Sequence, residues 1–175
     1  MPYNRPSTDT PFGLMPIGTP MSVRSYTKDA SASRIFEGDV VLLSNDGCVD
    51  VAATGTETNI VGVAAQGSAA STADTVLVYD HPDQEYMVQD DSDSAFVAQT
   101  NVGNNAAIVV TTGNTTTGRS NHELDISSAS ASAAPLRILG LHGCETSFAT
   151  AAGSPRRLVV KINAGNHVLA TSAGI

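Results

Sequence analysis

The chain is predicted to be all-β, a small-residue-rich β-barrel or sandwich body preceded by an extended, proline-rich N-terminal arm. Three observations carry that prediction. Ala, Ser, Thr and Gly fill 74 of the 175 positions while aromatic residues make up 5% and Trp is absent, so the core must be assembled from small and β-branched side chains. Short Val, Ile and Leu runs recur along the sequence, each closed by Gly, Asn or Asp turn residues. Five of the eight prolines (Pro2, Pro6, Pro11, Pro16 and Pro20) lie in the first twenty residues, where each removes a backbone donor and holds its predecessor extended.

The arm is assigned to residues 1–34. It carries Tyr3, Phe12, Leu14, Met15, Ile17 and Met21, more apolar material than a freely solvated linker displays, so it is expected to dock on the body, a sister subunit or a partner. The body is assigned to residues 35–175. Asp39–Leu43, the turn Ser44-Asn-Asp-Gly47 and Cys48–Ala52 read as a hairpin, because Asp-Gly supplies the conformation a tight turn requires. Ile60-Val-Gly-Val-Ala64 follows, its glycine marking a bulge or a close backbone approach. Thr75–Tyr79 and Glu85–Gln89 flank His81-Pro-Asp-Gln84, a connection whose proline suits a turn. Ala95–Thr100, Ala106–Thr111, His122–Ile126, Leu136–Leu141 and Leu158–Asn163 supply further strands. Ala64–Ala73 and Ser127–Ala134 are the only helix candidates, and both are too rich in Ser to convince.

Charge divides the chain into three blocks. Residues 35–100 hold twelve acids and no Lys or Arg, whereas residues 1–34 and 101–175 each carry a small positive excess. The division allows two β lobes, 35–100 (acidic) and 101–175, with faces meant for different neighbours or simply a solubilising surface. A net charge of −8 with nine cationic residues excludes a protein whose main task is to neutralise nucleic-acid phosphates. The longest apolar runs fall far short of the ~20 residues of a membrane helix, and no signal-peptide pattern opens the chain, so a soluble product of a cytoplasm is expected.

No catalytic or cofactor group rises above background. Gly113-Asn-Thr-Thr-Thr-Gly-Arg-Ser120 matches the spacing of a phosphate-binding loop, but Arg119 replaces the required Lys and no amphipathic helix follows. A long polar loop is the better account. Asp90-Asp91-Ser92-Asp93 lacks the glycine and later Glu of a calcium loop and reads as a solvated turn. Cys48 and Cys144 show no ligand spacing, His81, His122, His142 and His167 are scattered, and no Gly-x-Ser-x-Gly elbow is present. The expectation is therefore no enzyme, no cofactor and no metal.

Val78-Tyr-Asp-His-Pro-Asp-Gln-Glu-Tyr-Met-Val-Gln89 resembles a signature of structural proteins encoded beside the major capsid gene of many tailed phages: Asp-Pro-Asp-Gln, then an aromatic, then Gln. Val102-Gly-Asn-Asn105, Gly113–Ser120, Leu136–Gly140 and Val160–Asn163 follow in the same order, so the likeness spans about residues 76–167. Phe36–Leu43 and Ile60–Val63 are similar to the small β-barrel pattern of phage head decoration proteins. The resemblance implies a capsid decoration, or cement, protein. It would bind the outside of the major capsid protein lattice as a homotrimer in the virion, with no enzymatic activity and no nucleic-acid or membrane partner. The arm has no counterpart in the resemblance, and physical reasoning nominates Arg5, Phe12, Leu14, Met15, Ile17 and Arg24 as its capsid contacts. A tail or fibre module is the first alternative. A carbohydrate- or ligand-binding β-sandwich is the second, disfavoured because four Tyr and four Phe offer few exposed rings.

Overall fold

The computed structural model describes residues 9–53, 57–91, 97–145, 147–148 and 154–171. The chain begins with a two-residue strand, β1 (Met15–Pro16), and then enters a closed barrel. The barrel is made of β2 (Val23–Lys28), β3 (Val40–Leu43), β4 (Val49–Val51), β5 (Ile60–Ala64) and β6 (Asp74–Tyr79), in the order β2-β4-β3-β5-β6. A second, six-stranded sheet is ordered β1-β7-β11-β10-β8-β9. Its remaining strands are β7 (Glu85–Gln89), β8 (Asn105–Val109), β9 (Glu123–Ser130), β10 (Leu136–Leu141) and β11 (Arg157–Ile162). Every pair in it is antiparallel. Asp90, just past β7, bridges Leu124 of β9, so the sheet curls back toward its own first strands.

The hairpin forms where the sequence places it. Ser44 N–H donates to Cys48 O and Gly47 N–H to Ser44 O, while Asp46 Oδ1 accepts from Cys48 N–H at 2.9 Å. β3 and β5 are uninterrupted apolar runs because both faces are covered: Val41 and Val61 point into the barrel, Val40, Ile60 and Val63 into the sheet's core. Gly62 marks both a bulge and a close approach. Its φ is +153°, the β3–β5 register shifts opposite it, and a Cβ there would lie 2.0 Å from Tyr79 O.

Several expectations meet a different arrangement. The assigned arm ends before residue 34, because Val23–Lys28 pairs along its whole length with β6 and closes the barrel against β4 through Lys28 and Val49. Lys28 is fully buried, its ammonium donating to the carbonyls of Asp29 (3.3 Å), Ala32 (3.2 Å) and Thr72 (3.1 Å). The strand expected over 95–100 is replaced at Gln99–Asn101 by a 3-10 turn, where Asn101 Oδ1 captures the Ala98 N–H at 2.7 Å; residues 95–96 lie outside the described set. As their serine content argued, neither Ala64–Ala73 nor Ser127–Ala134 is helical, and β9 runs on through Ser127 to Ser130. Asp90 is no solvated turn residue: it is buried and accepts from the Arg156 N–H, while Ser92 and Asp93 lie outside the described residues.

Candidate functional site

The N-terminal segment lies along the body's own surface and core. Leu14 is 1% exposed within the main cluster, and its N–H donates to Gly38 O at 2.9 Å. Met15 and Pro16 pair with Met87 and Tyr86 of β7, and Ile17 N–H donates to Glu85 O at 2.9 Å. Gln84 holds the next turn. Its buried amide donates to Ile17 O (3.1 Å) and Glu85 O (2.8 Å) and accepts from Met21 N–H (3.1 Å).

The nominated contact residues therefore separate into different environments. Leu14 is spent on the chain's own core. Phe12, Met15 and Ile17 are half-buried, Phe12 beneath the Arg157 guanidinium at 5.5 Å and Met15 beside Arg119, whose Nη1 is 3.8 Å from its Sδ. Arg24 pairs with buried Asp80 at 3.1 Å, and the Tyr26 hydroxyl donates to the same carboxylate at 2.7 Å. Burial and that carboxylate push Tyr26 up to about 12, so it stays a donor. Arg5 lies outside the described residues. The exposed large apolar side chains among the described residues are Met21, Val23, Leu77, Leu139 and Leu169, of which Val23 and Leu77 lie on barrel strands. Val23 pairs with Tyr79 and Ser25 with Leu77, so Val23 and Leu77 share one side of the β2–β6 ladder.

Two of the blocks that carry the resemblance to phage head structural proteins, 78–89 and 113–120, meet this segment. Gln84 grips residues 17–21, Tyr86 pairs with Pro16, and Arg119 meets Met15 and stands 3.7 Å from Glu37. Gly113–Ser120 is a loop, turned by Asn114 Oδ1 accepting from Thr116 and Thr117 N–H and leading into β9 rather than a helix. The role of Gln84 was missed in the sequence. The sequence marks Gln84 only as the last residue of the His81–Gln84 turn and as part of the phage-type signature, neither of which points to residues 17–21.

Other polar groups meet without forming a catalytic relay. Ser120, His122 and Asp39 are neighbours, but both ring nitrogens of His122 face other partners: Nδ1 accepts from Val40 N–H at 3.2 Å and Nε2 stands 3.3 Å from Asp39 Oδ1. Ser120 Oγ accepts the His122 backbone N–H at 3.0 Å. A Ser-to-His proton transfer needs a ring nitrogen aimed at the hydroxyl. Among the described residues one trio of metal-type ligands converges, Asp29, Asp46 and Cys48, with ligand atoms within 4.8 Å of one another. Burial and the two carboxylates hold the Cys48 thiol up, favouring its protonated form over a thiolate ligand. No family model matches the chain, and no curated protein matches it significantly.

Proposed function

We propose that this chain is a virion structural protein that decorates the outside of a capsid lattice, with the major capsid protein as its partner. The supporting observation is that two of the blocks resembling phage head proteins act here as scaffold: Gln84, Tyr86 and Arg119 fix the N-terminal segment against the body. Such fixing leaves Val23 and Leu77 exposed on one side of the β2–β6 ladder, with Met21 exposed just before β2. In this reading that face, more than the half-buried residues 12–17, meets the shell. Apolar contact repeated over many copies reinforces subunit boundaries without any single tight site.

The test is binding of the purified protein to assembled empty shells of the encoding virus, compared with free capsid subunits. Binding to shells alone, resistant to high salt and lost when Met21, Val23 and Leu77 are all changed to Ser, supports the reading. Binding to neither overturns it. Deleting residues 2–20 is a poorer probe, because it removes Leu14 from the core. Copies per virion in the tens rather than the hundreds would favour a tail module, and sedimentation tests the trimer that the resemblance implies.

A further inference from the structure

β10 runs into a turn, His142-Gly-Cys-Glu145, closed by the Glu145 N–H donating to His142 O at 2.9 Å and tied to β11 by the His142 N–H donating to Arg157 O at 2.9 Å. The turn brings three side chains together. Cys144 is a free, exposed thiol whose Sγ lies 3.1 Å from His142 Nδ1, and Arg157 Nη1 stands 3.9 Å from the same sulfur. The Cys144 N–H donates to His142 Nδ1 at 3.3 Å, so the neutral ring carries its proton on Nε2 and keeps its Nδ1 lone pair on the side of the thiol. The Arg157 guanidinium lies over the Phe12 ring at 5.5 Å, which holds it beside the turn. Glu145, the acid of the turn, is engaged elsewhere: Oε1 accepts the Arg157 N–H at 3.1 Å and Oε2 stands 4.0 Å from Arg156 Nε.

We propose that Cys144 is a modification site, a nucleophilic thiol that forms a mixed disulfide with low-molecular-weight disulfides of the glutathione type, and that His142 takes its proton. A nucleophile within hydrogen-bond reach of a base, with the base oriented by a further group, is the arrangement that activates a thiol. The proton passes from Sγ to Nδ1. The ring then exchanges its contact with the Cys144 N–H for an imidazolium–thiolate pair, and the Arg157 guanidinium is a second positive neighbour of the sulfur. The thiolate attacks one sulfur of the disulfide: the new S–S bond forms as the old one breaks, and the departing thiolate takes the proton from His142. Cys144 is oxidised and half of the disulfide is reduced to a thiol, so the disulfide itself is the oxidant. The other cysteine has surroundings of the opposite sign, since Cys48 is half-buried with the Asp29 and Asp46 carboxylates beside its sulfur. The inference is independent of the capsid reading.

The experiment treats the full chain carrying Cys48→Ser with oxidised glutathione and counts the mixed disulfide by intact-mass spectrometry. An ordinary thiol is only a few per cent thiolate at about pH 7, so Cys144 should react about tenfold or more faster there than free N-acetylcysteine. Between about pH 8 and about pH 6 its rate should fall much less steeply than the roughly tenfold per unit of an unassisted thiol. His142→Asn, which keeps an acceptor for the Cys144 N–H but takes no proton, should restore the steep profile. In the wild-type chain peptide mapping should place the modification on Cys144 before Cys48, which keeps the test decisive if Cys48→Ser fails to fold. A rate equal to that of the free thiol, a pH profile unchanged by His142→Asn, or earlier modification of Cys48 would each overturn the assignment.

Discussion

Seven buried side chains fill the barrel, all of them Ile, Val or Ala, whereas the seventeen gathered on the curled sheet include Tyr86 and four leucines. The barrel's fully buried positions hold only small and β-branched groups, with Tyr26 and Leu43 packed at its margin, so its shape depends on backbone approach more than on bulk. The sheet has no such limit and takes the large residues. The two regions are joined through β3 and β5, whose alternate side chains belong to one core and then the other. The sparse barrel is therefore held by sharing two strands with a richer neighbour.

The largest effect expected from this contrast is at the two bulge glycines. Gly62→Ala puts a methyl into the Tyr79 carbonyl and should destabilise by on the order of 4 kcal/mol, near the top of the range for single substitutions. Gly140→Ala, at the β10–β11 bulge, meets no neighbouring atom and bears only the strain of its φ of +159°, so it should cost less, about 1–3 kcal/mol. Urea unfolding of both variants checks the difference, and similar losses would break the claim that backbone approach governs the barrel alone.

Next come side-chain truncations. Leu136→Ala in the sheet should cost about 3 kcal/mol and Ile35→Val in the barrel about 1 kcal/mol. Both variants should keep one transition by fluorescence and by circular dichroism, because β3 and β5 tie the cores together. Two separated transitions would show that the lobes fold independently.

A smaller effect follows from buried carboxylates on the sheet side. Glu123 is raised to about 7, first by burial and then by the Asp9 carboxylate, against an ordinary value of 4.5. Between those values the folded chain retains a proton that the unfolded chain has lost, so stability falls as pH rises and levels off above the folded value. Asp39 and Asp90, each raised by burial to about 6, act with the same sign over a lower range. His122 and His167, lowered by burial to about 4, oppose them up to 6.5. Glu123 is then left alone, and Tm should drop by about 2–4 °C between about pH 6 and about pH 8, as ~1 kcal/mol does in a domain of this size. Glu123→Gln should flatten that drop, and an unchanged slope would refute the assignment.

Smallest of all is the exposed Arg119–Glu37 pair that spans the two regions. Arg119→Ala should alter stability by no more than about 0.5 kcal/mol, since both side chains are solvated and the pair is loose. A larger loss by thermal unfolding would mean that its contact with Met15 matters to the body.

Legibility in the sequence followed contact range. The 39–52 hairpin, Gly62, β10 and β11 were readable because each depends on local runs and turns. β2 was not, since its neighbours are prolines and its partner β6 lies some fifty residues away. The same holds for the candidate sites. Asp39 and His122 stand 83 positions apart, and nothing in either local pattern announces that a hairpin strand's first acid will sit beneath the loop that β9 follows. Leu14 looked like a contact for a partner because its run is apolar, and the core that claims it is assembled from strands that begin 26 residues downstream, at Val40, and run on to Ile162.

The burial of Lys28 has a consequence for handling the protein. The chain has two lysines, and the Lys28 ammonium is enclosed by three carbonyls at the barrel seam. Acylating reagents need an accessible, deprotonated amine, so Lys161 on β11 is the one lysine side chain open to them in the folded state. Coupling through it attaches the molecule by its sheet without altering a residue. Acylation at Lys28 would in turn report that the barrel had opened.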